Sequence, residues 1–435
     1  MNTDWDFLDY LVDDNPNSDT ATFDIAIKNL FDELNELEAQ KKELLEKGET
    51  GVDSITKVIS TKLDKDWISF LAENNVLPRY GFPIYVVPLT VYGNSISSKD
   101  FDLNRDLRMA IVEYAPGKQV VAGGRYFKPY ALEHRTGKGW PTFDFATCSR
   151  CGKTYFYSTA LGAEGTGIRQ KECCHVDLTY KQILIPAFGF KTSKKDNETI
   201  KKRDEENYSS VSIFDGFSNS ASIEQKDYVF MGGTVKTSYS PLGNMYIINR
   251  GKFAKGDSGD LGIGFKVCEE CGYVHVPLTD LKTEHLTAGG RKCAGKMFPC
   301  YFGQHFRSDA LALEFDQDNT IWEYDSLLYA ILEGASMYMG IDRRELGGSI
   351  WKNGEKDKVS IVLFDTVPNG AGHVKRIKDN ILQILESALQ KVDGRCGCSE
   401  DTCCYGCLRN YDNQARHDTM ARGNAYDYLS RLMRI

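Results

Sequence analysis

No uncharged apolar stretch in the 435 residues reaches the roughly 18 that a membrane-spanning helix needs, which excludes an α-helical membrane protein. The acidic N-terminus MNTDWDFLDYLVDDNP has neither a basic n-region nor a long apolar h-region, so no secretory signal is expected and the expected compartment is the cytoplasm. There is no GxxxxGK[ST] loop. Gly152-Lys153-Thr154 lacks the upstream glycine, so ATP binding in a P-loop is not expected. Neither a G-x-S-x-G elbow nor an H-E-x-x-H helix is present, and no repeat of fixed period is evident. Net positive charge is also missing: 53 basic against 61 acidic residues give −8. That argues against a surface that clings to nucleic acid everywhere, while leaving room for a local basic patch. Hydrophobic content of 41% is ordinary for a globular protein, and the length suits about two to four domains.

Residues 1–22 are acidic and without periodicity, a loose tail. Ile27, Leu30, Leu34, Leu37 and Leu44 recur at helical spacing up to Gly48, predicting an amphipathic helix of about five turns that packs on its own domain; a coiled coil with a partner is the alternative. Ile55, Val58, Ile59, Leu63, Trp67, Phe70 and Leu71 predict a second helical stretch, ended by Pro78. Short apolar runs at 85–92, 109–115 and 119–127 predict strands interrupted by a short helix near Leu107. The polar run 191–210 predicts a mobile insert. Further on, 326–339 reads as a helix closed by Gly340, VSIVLFD at 359–365 as a buried strand, and Val374 to Val392 as one long helix.

The 13 cysteines fall in three clusters. In a reducing compartment C-x2-C pairs read as metal ligands before disulfides. Cys148-Ser-Arg-Cys151-Gly152 sets half a tetrahedron, completed by two of Cys173, Cys174 and His175. Cys268-Glu-Glu-Cys271-Gly272 repeats the knuckle, with His285 and Cys293 to complete it and Cys300 or His305 as replacements for His285. The third cluster packs five cysteines into twelve residues; Cys396, Cys398, Cys404 and Cys407 are the expected ligands, with Cys403 spare. Two to three structural Zn2+ ions are expected, with an iron–sulfur cluster as the alternative at the third set. Four protein ligands leave no open position, so these sites are expected to brace the fold and not to catalyse. The expected fold class is α+β, multidomain, with mixed sheets. Its parts are an N-terminal tail and amphipathic helices (1–76), a strand-rich segment (77–142), a zinc-knuckle region (143–310) and a C-terminal α/β unit ending in the four-cysteine site (311–435).

LPRYGFP at 77–83, NRDLRMAIVEYAPGKQVV at 104–121, CSRCG, IPAFGF at 185–190, CEECG, SLLYAILEGASMYMGI at 326–341, VLFDTVPNGAGHV at 362–374 and CCYGCLRNYDNQARH at 403–417 together resemble the DUF1998 proteins. These are zinc-binding C-terminal regions of DEAD/DEAH-type helicases and the helicase-associated subunit of DISARM-type anti-phage systems. The resemblance covers roughly residues 67–435. It implies a role beside a superfamily 2 helicase motor, in DNA repair or anti-phage defence, and maps the family's metal cysteines onto Cys396, Cys398, Cys404 and Cys407. Motor motifs are absent upstream, so the chain is expected to be either the non-motor subunit of a split system or the C-terminal piece of a longer helicase, without catalysis of its own.

For DNA, the candidate segment is 408–425: Arg409, Arg416 and Arg422 for phosphates, and Tyr411, Asn413, Gln414 and His417 for stacking and hydrogen bonding. The competing reading is a segment that hydrogen-bonds its own zinc loop. Two further readings stand against the accessory role: a scaffold without nucleic-acid contact, and a metal-dependent nuclease using Glu333, Asp342 and Asp365. Asp365 and His373 flank a glycine-rich turn that would either cap the following helix or, through Gly370 and Gly372, cradle a phosphate.

Overall fold

The structure is a computed structural model. It describes residues 86–434 except 93–102, 123–124, 135–138, 159–170, 194–207, 218–222, 253–261, 277–283, 317–320, 353–358, 369 and 411–412, together with scattered positions between Ile27 and Ile59. The chain divides into two compact units, Met1–Ile84 and Tyr85–Ile435. In the first, the described positions from Ile27 to Glu46, with Thr56 and Ile59, are helical. The expected tail, most of the second helical stretch and most of the 191–210 insert lie outside the described residues.

The second unit is built on two long antiparallel strands, Gly233–Lys252 and Met297–Phe315, in register from Val235 opposite Phe315 to Asn249 opposite Phe302. Nine further strands complete a mixed sheet of eleven. Tyr208–Phe217 and Glu224–Phe230 pair with the outer edge of Gly233–Lys252. Phe265–Cys268 pairs with the first residues of Met297–Phe315, and the edge turned away from Gly233–Lys252 takes Lys181–Leu184 along the first half and Val359–Asp365 along the second. Among the described residues Lys181–Leu184 is its one parallel neighbour. Thr142–Thr147 and Thr154–Ser158 extend one side, and Leu346–Lys352 the other. Because Met297–Phe315 runs through position 310, the segments before and after that point share one sheet.

Both faces of this sheet are covered, which is why VSIVLFD at Val359–Asp365 reads as a nearly continuous apolar run. On one face Leu311, Leu313, Ile361 and Leu363 meet Leu327, Leu328, Ile331 and Leu332 of the helix Ile321–Met339, Ile384 and Leu385 of Ile381–Lys391, and Leu429 of Arg422–Met433. On the other, Met245, Ile247, Phe302, Phe306, Val362 and Phe364 join Leu107, Ala110 and Ile111 of the short helix Leu107–Glu113. Each such fully buried side chain is worth about 1.5–3 kcal/mol of transfer free energy. A four-stranded sheet, ordered Asn104–Asp106, Val86–Thr90, Phe190–Thr192, Pro129–Leu132, flanks the second core.

The helix expected over 374–392 is two helices, His373–Asp379 and Ile381–Lys391, broken at Asn380. Asn380 leaves helical geometry (φ −129°) and its side-chain amide donates to the Arg376 carbonyl at 2.8 Å, the local competition through which asparagine interrupts helices.

Candidate metal centres

Three groups of four Cys or His ligand atoms lie within 4.8 Å of one another, and they are the groups among the described residues dense enough to hold a metal: Cys148, Cys151, Cys173, Cys174; Cys268, Cys271, His285, Cys293; and Cys396, Cys398, Cys404, Cys407. The first two share one local design. The Gly152 amide donates to the Cys148 carbonyl (2.9 Å) and the Gly272 amide to that of Cys268 (3.1 Å). Both glycines take left-handed φ, +71° and +73°, so the C-x2-C-G turn folds back with its two sulfurs on one side.

A two-residue hairpin supplies the rest of the first group. Glu172–Cys173 pairs with Val176–Asp177, and the turn residues Cys174 and His175 both have positive φ (52° and 61°), as a type I′ turn demands. The turn brings Cys174 into the group and leaves His175 out. In the second group His285 and Cys293 stand directly opposite each other across a small hairpin; Cys271 Sγ lies 3.2 Å from His285 Nε2, and Cys268 Sγ 3.8 Å from Cys293 Sγ. Cys300 and His305 are both outside it. Cys300 is buried in the main sheet opposite Phe265, where burial pushes its thiol up, and the His305 ring lies tilted against Tyr246 with centroids 4.6 Å apart.

The third group is woven into the main core. Cys407 is 1% exposed and packs with the helix Ile321–Met339, while Cys396, Cys398 and Cys404 lie at its margin. Sulfur–sulfur separations are 3.3 Å (Cys396 to Cys398), 3.7 Å (Cys398 to Cys407) and 3.8 Å (Cys404 to Cys407). A tetrahedron with Zn–S bonds of about 2.3 Å has edges of about 3.8 Å, so these thiols fit zinc. The Gly406 amide points at Cys404 Sγ (3.3 Å) and the Cys404 amide at Cys407 Sγ (3.2 Å), donors suited to thiolate.

Electrostatics favour the same conclusion. Without a cation, the Cys151 amide draws Cys148 down to about 7. At Cys396 burial is outweighed by the Cys398 amide and the neighbouring thiols, again giving about 7. Neighbouring sulfurs push Cys174 up to about 12, and burial does the same to Cys271. Four thiols so close share few negative charges; a dication allows all of them to ionise.

Most of the candidate DNA-contacting residues are engaged within the molecule. Arg422 is 6% exposed and donates to the carbonyls of Val392 (2.8 Å) and Cys398 (3.4 Å). Arg416 pairs with buried Asp325 at 2.8 Å. Asn413, 1% exposed, donates to the Leu408 carbonyl and accepts from the Asn410 amide, and His417 Nε2 lies 2.9 Å from its Oδ1. Arg409 donates through Nε to Cys403 Sγ at 3.4 Å. Gln414 is half-buried in a short 3-10 turn, and Tyr411 lies outside the described residues. The segment thus holds the third metal loop against the helices. Asp325 was missed from sequence, although an acid at an inward helical position of EYDSLL is a readable signal. Tyr155, whose hydroxyl donates to Cys173 Sγ at 3.1 Å, carried no such mark.

The carboxylates considered for a nuclease are dispersed. Glu333 pairs with Arg343 and Lys391, and Asp342 with Arg344. Asp365 is fully buried and accepts from the amides of Ala371 (2.6 Å), His373 (3.1 Å) and Val374 (3.0 Å), so it caps the following helix. The Gly372 amide serves Asp309. Amides that would cradle a phosphate are therefore occupied by two of the protein's own carboxylates.

Fold and sites together define an α+β protein with three thiol-rich clusters whose geometry fits zinc. Residues 327–408 match the family profile of the MrfA Zn-binding domain, a segment that holds the entire third group. The resemblance to DUF1998 helicase proteins is thereby borne out. The chain is 23% identical over 402 residues to Druantia protein DruE of Escherichia coli (strain UMEA 4076-1), covering 80% of this chain and 21% of that protein. It thus spans about a fifth of the length of this relative. Among solved structures it is similar to the DUF1998 helicase MrfA bound to DNA (TM-score 0.36, 11% identity, 80% of this chain and 34% of that one) and to MrfA alone (TM-score 0.32, 9% identity, 77% and 33%). No helix among the described residues is long and apolar enough to cross a membrane.

Proposed function

We propose that this chain is the zinc-stapled, non-motor part of a superfamily 2 DNA helicase system, acting in anti-phage defence or DNA repair and contacting DNA while a motor supplies ATP hydrolysis. The observation that carries the reading is the match of residues 327–408 to the MrfA Zn-binding domain, with its cysteines set in the main core. The similarity to DruE extends the support over most of the chain. Zn2+ at the three centres holds loops whose own apolar content is too small to fix them. DNA contact then falls outside the inward-facing side chains of 408–425, on surfaces that the zinc loops and hairpins present.

The test combines zinc content per chain by mass spectrometry with binding of fluorescent single-stranded and duplex DNA over a salt series, and with ATPase assays of the chain alone. About three zinc ions, salt-sensitive DNA binding and no ATPase support the reading. Zinc without any DNA binding would overturn the DNA-contact part and leave a scaffold for the motor.

A further inference from the structure

Among the ligands of the three metal centres, Cys174 is the one that is exposed; every other is buried or half-buried. It takes the first turn position of the hairpin that pairs Glu172–Cys173 with Val176–Asp177, and Glu172, His175 and Asp177 beside it are exposed as well. No residue from 172 to 177 belongs to any of the three apolar cores. The links from this hairpin to its surroundings are polar: the Arg150 guanidinium donates to the Cys174 carbonyl at 3.3 Å, and the Tyr155 hydroxyl to Cys173 Sγ at 3.1 Å. By contrast, the third group packs against the main core.

Zinc holds its cysteines as thiolates, and thiolates are oxidised the more readily the more they are exposed. The first group therefore presents a nucleophilic sulfur to water, which the other two do not.

We infer that Cys174 is a modification site for hydroperoxides, and that its oxidation releases zinc from the first group alone. This rests on the reading of that group as a zinc centre. The Cys174 thiolate attacks a peroxide oxygen: the O–O bond breaks, the sulfur becomes a sulfenic acid, and the departing hydroxide takes up a proton to form water. A second thiolate then attacks the Cys174 sulfur, a disulfide forms, and a second hydroxide leaves as water. Each sulfur is oxidised by one electron and hydrogen peroxide is reduced to two waters. The thiols within hydrogen-bonding reach of Cys174 are those of Cys151 and Cys173. Adjacent residues have Cα atoms about 3.8 Å apart, short of the roughly 4.4 Å that an unstrained disulfide spans, so Cys151 is the resolving residue. Cys148 and Cys173 are then left as half a tetrahedron, too few ligands to retain the metal. Since no core residue moves, the change is local and reversible.

The test treats the full, zinc-loaded chain with hydrogen peroxide, follows free zinc with a chromogenic chelator, and maps the cysteines by alkylation and mass spectrometry. One zinc per chain should leave roughly tenfold faster than the rest, together with a Cys151–Cys174 disulfide and an unchanged main melting transition. A thiol reductant with added zinc should restore the original content. C174H keeps a metal ligand at a positive φ that histidine tolerates, so it should hold as much zinc as the wild type and release the first ion roughly tenfold more slowly. If C174H binds less zinc, the wild-type disulfide map decides. First oxidation at the second or third group, a disulfide that excludes Cys174, or equal release from a fully loaded C174H overturns the inference alone. A chain that as purified holds no zinc at Cys148, Cys151, Cys173 and Cys174 overturns the zinc reading of that group first and this inference with it.

Discussion

Arg416 and Asp325, 91 residues apart, form a 2.8 Å ion pair whose carboxylate is only 4% exposed. The pair ties the segment after the third metal loop to the central helix. Removing one partner strands a buried charge, which costs about 3–5 kcal/mol, whereas removing both is far milder. Arg416→Ala should therefore lower stability by about 3 kcal/mol in urea unfolding, and Arg416→Ala with Asp325→Asn should recover at least half of that. Additive losses in the double variant would refute the coupling.

The three metal centres should differ in what they hold. Cys407 is buried in the main core and Cys174 is exposed on a turn. Cys407→Ser should remove one zinc per chain and lower the melting temperature by about 10 °C or more, since several kcal/mol of folding energy depend on the metal. Cys174→Ser should cost less than half as much. Equal melting temperatures for the two variants would contradict this ranking, as would retention of all zinc by either.

His305 gives stability a pH dependence of known sign. Burial lowers its pKa to about 4, and Nε2 has no hydrogen-bond partner. The unfolded chain takes up this proton near the ordinary value of about 6.5. Its contribution is therefore complete above about 6.5, is lost progressively as pH falls from there to about 4, and is flat below. His305→Phe, which keeps the ring against Tyr246, should flatten the stability profile between pH 6.5 and 4 in denaturant titrations. An unchanged slope would show that other groups set it.

Asp365 serves three amides at the start of His373–Asp379 while burial raises its pKa against their pull. Asp365→Ala should cost about 2–4 kcal/mol, the sum expected when several buried donors lose their acceptor. Zinc content should stay at the wild-type level. Loss of zinc in this variant would mean that the turn also supports a metal centre.

The clustering of the thiols was legible from sequence, in the first two groups because a C-x2-C-G turn determines its own geometry, with two thiols and a left-handed glycine within five residues, and in the third because its cysteines lie within twelve residues. The choice of Cys174 over His175 was not legible, since it depends on the turn that a two-residue hairpin imposes. Nor were the two long strands. Ser240-Pro241-Leu242-Gly243 reads as a turn, yet the register merely shifts between Ser240 and Gly243 and the strand continues through a bulge. The helical runs read at 326–339 and 374–392 showed because their apolar spacing reflects one buried face, although the first begins at Ile321 and the second breaks at Asn380.

Local chemistry alone therefore determined the thiol clusters, the glycine turns and the amphipathic helices, each encoded within a few neighbouring residues. Only the tertiary structure decided that Arg416, Arg422 and Asn413 turn inward, that Asp309 and Asp365 fill a glycine-rich turn open on paper to phosphate, and that Cys174 is the ligand left exposed. A side chain's partner across 50 or 100 residues is chosen by the packing of the whole sheet, and no local pattern records it.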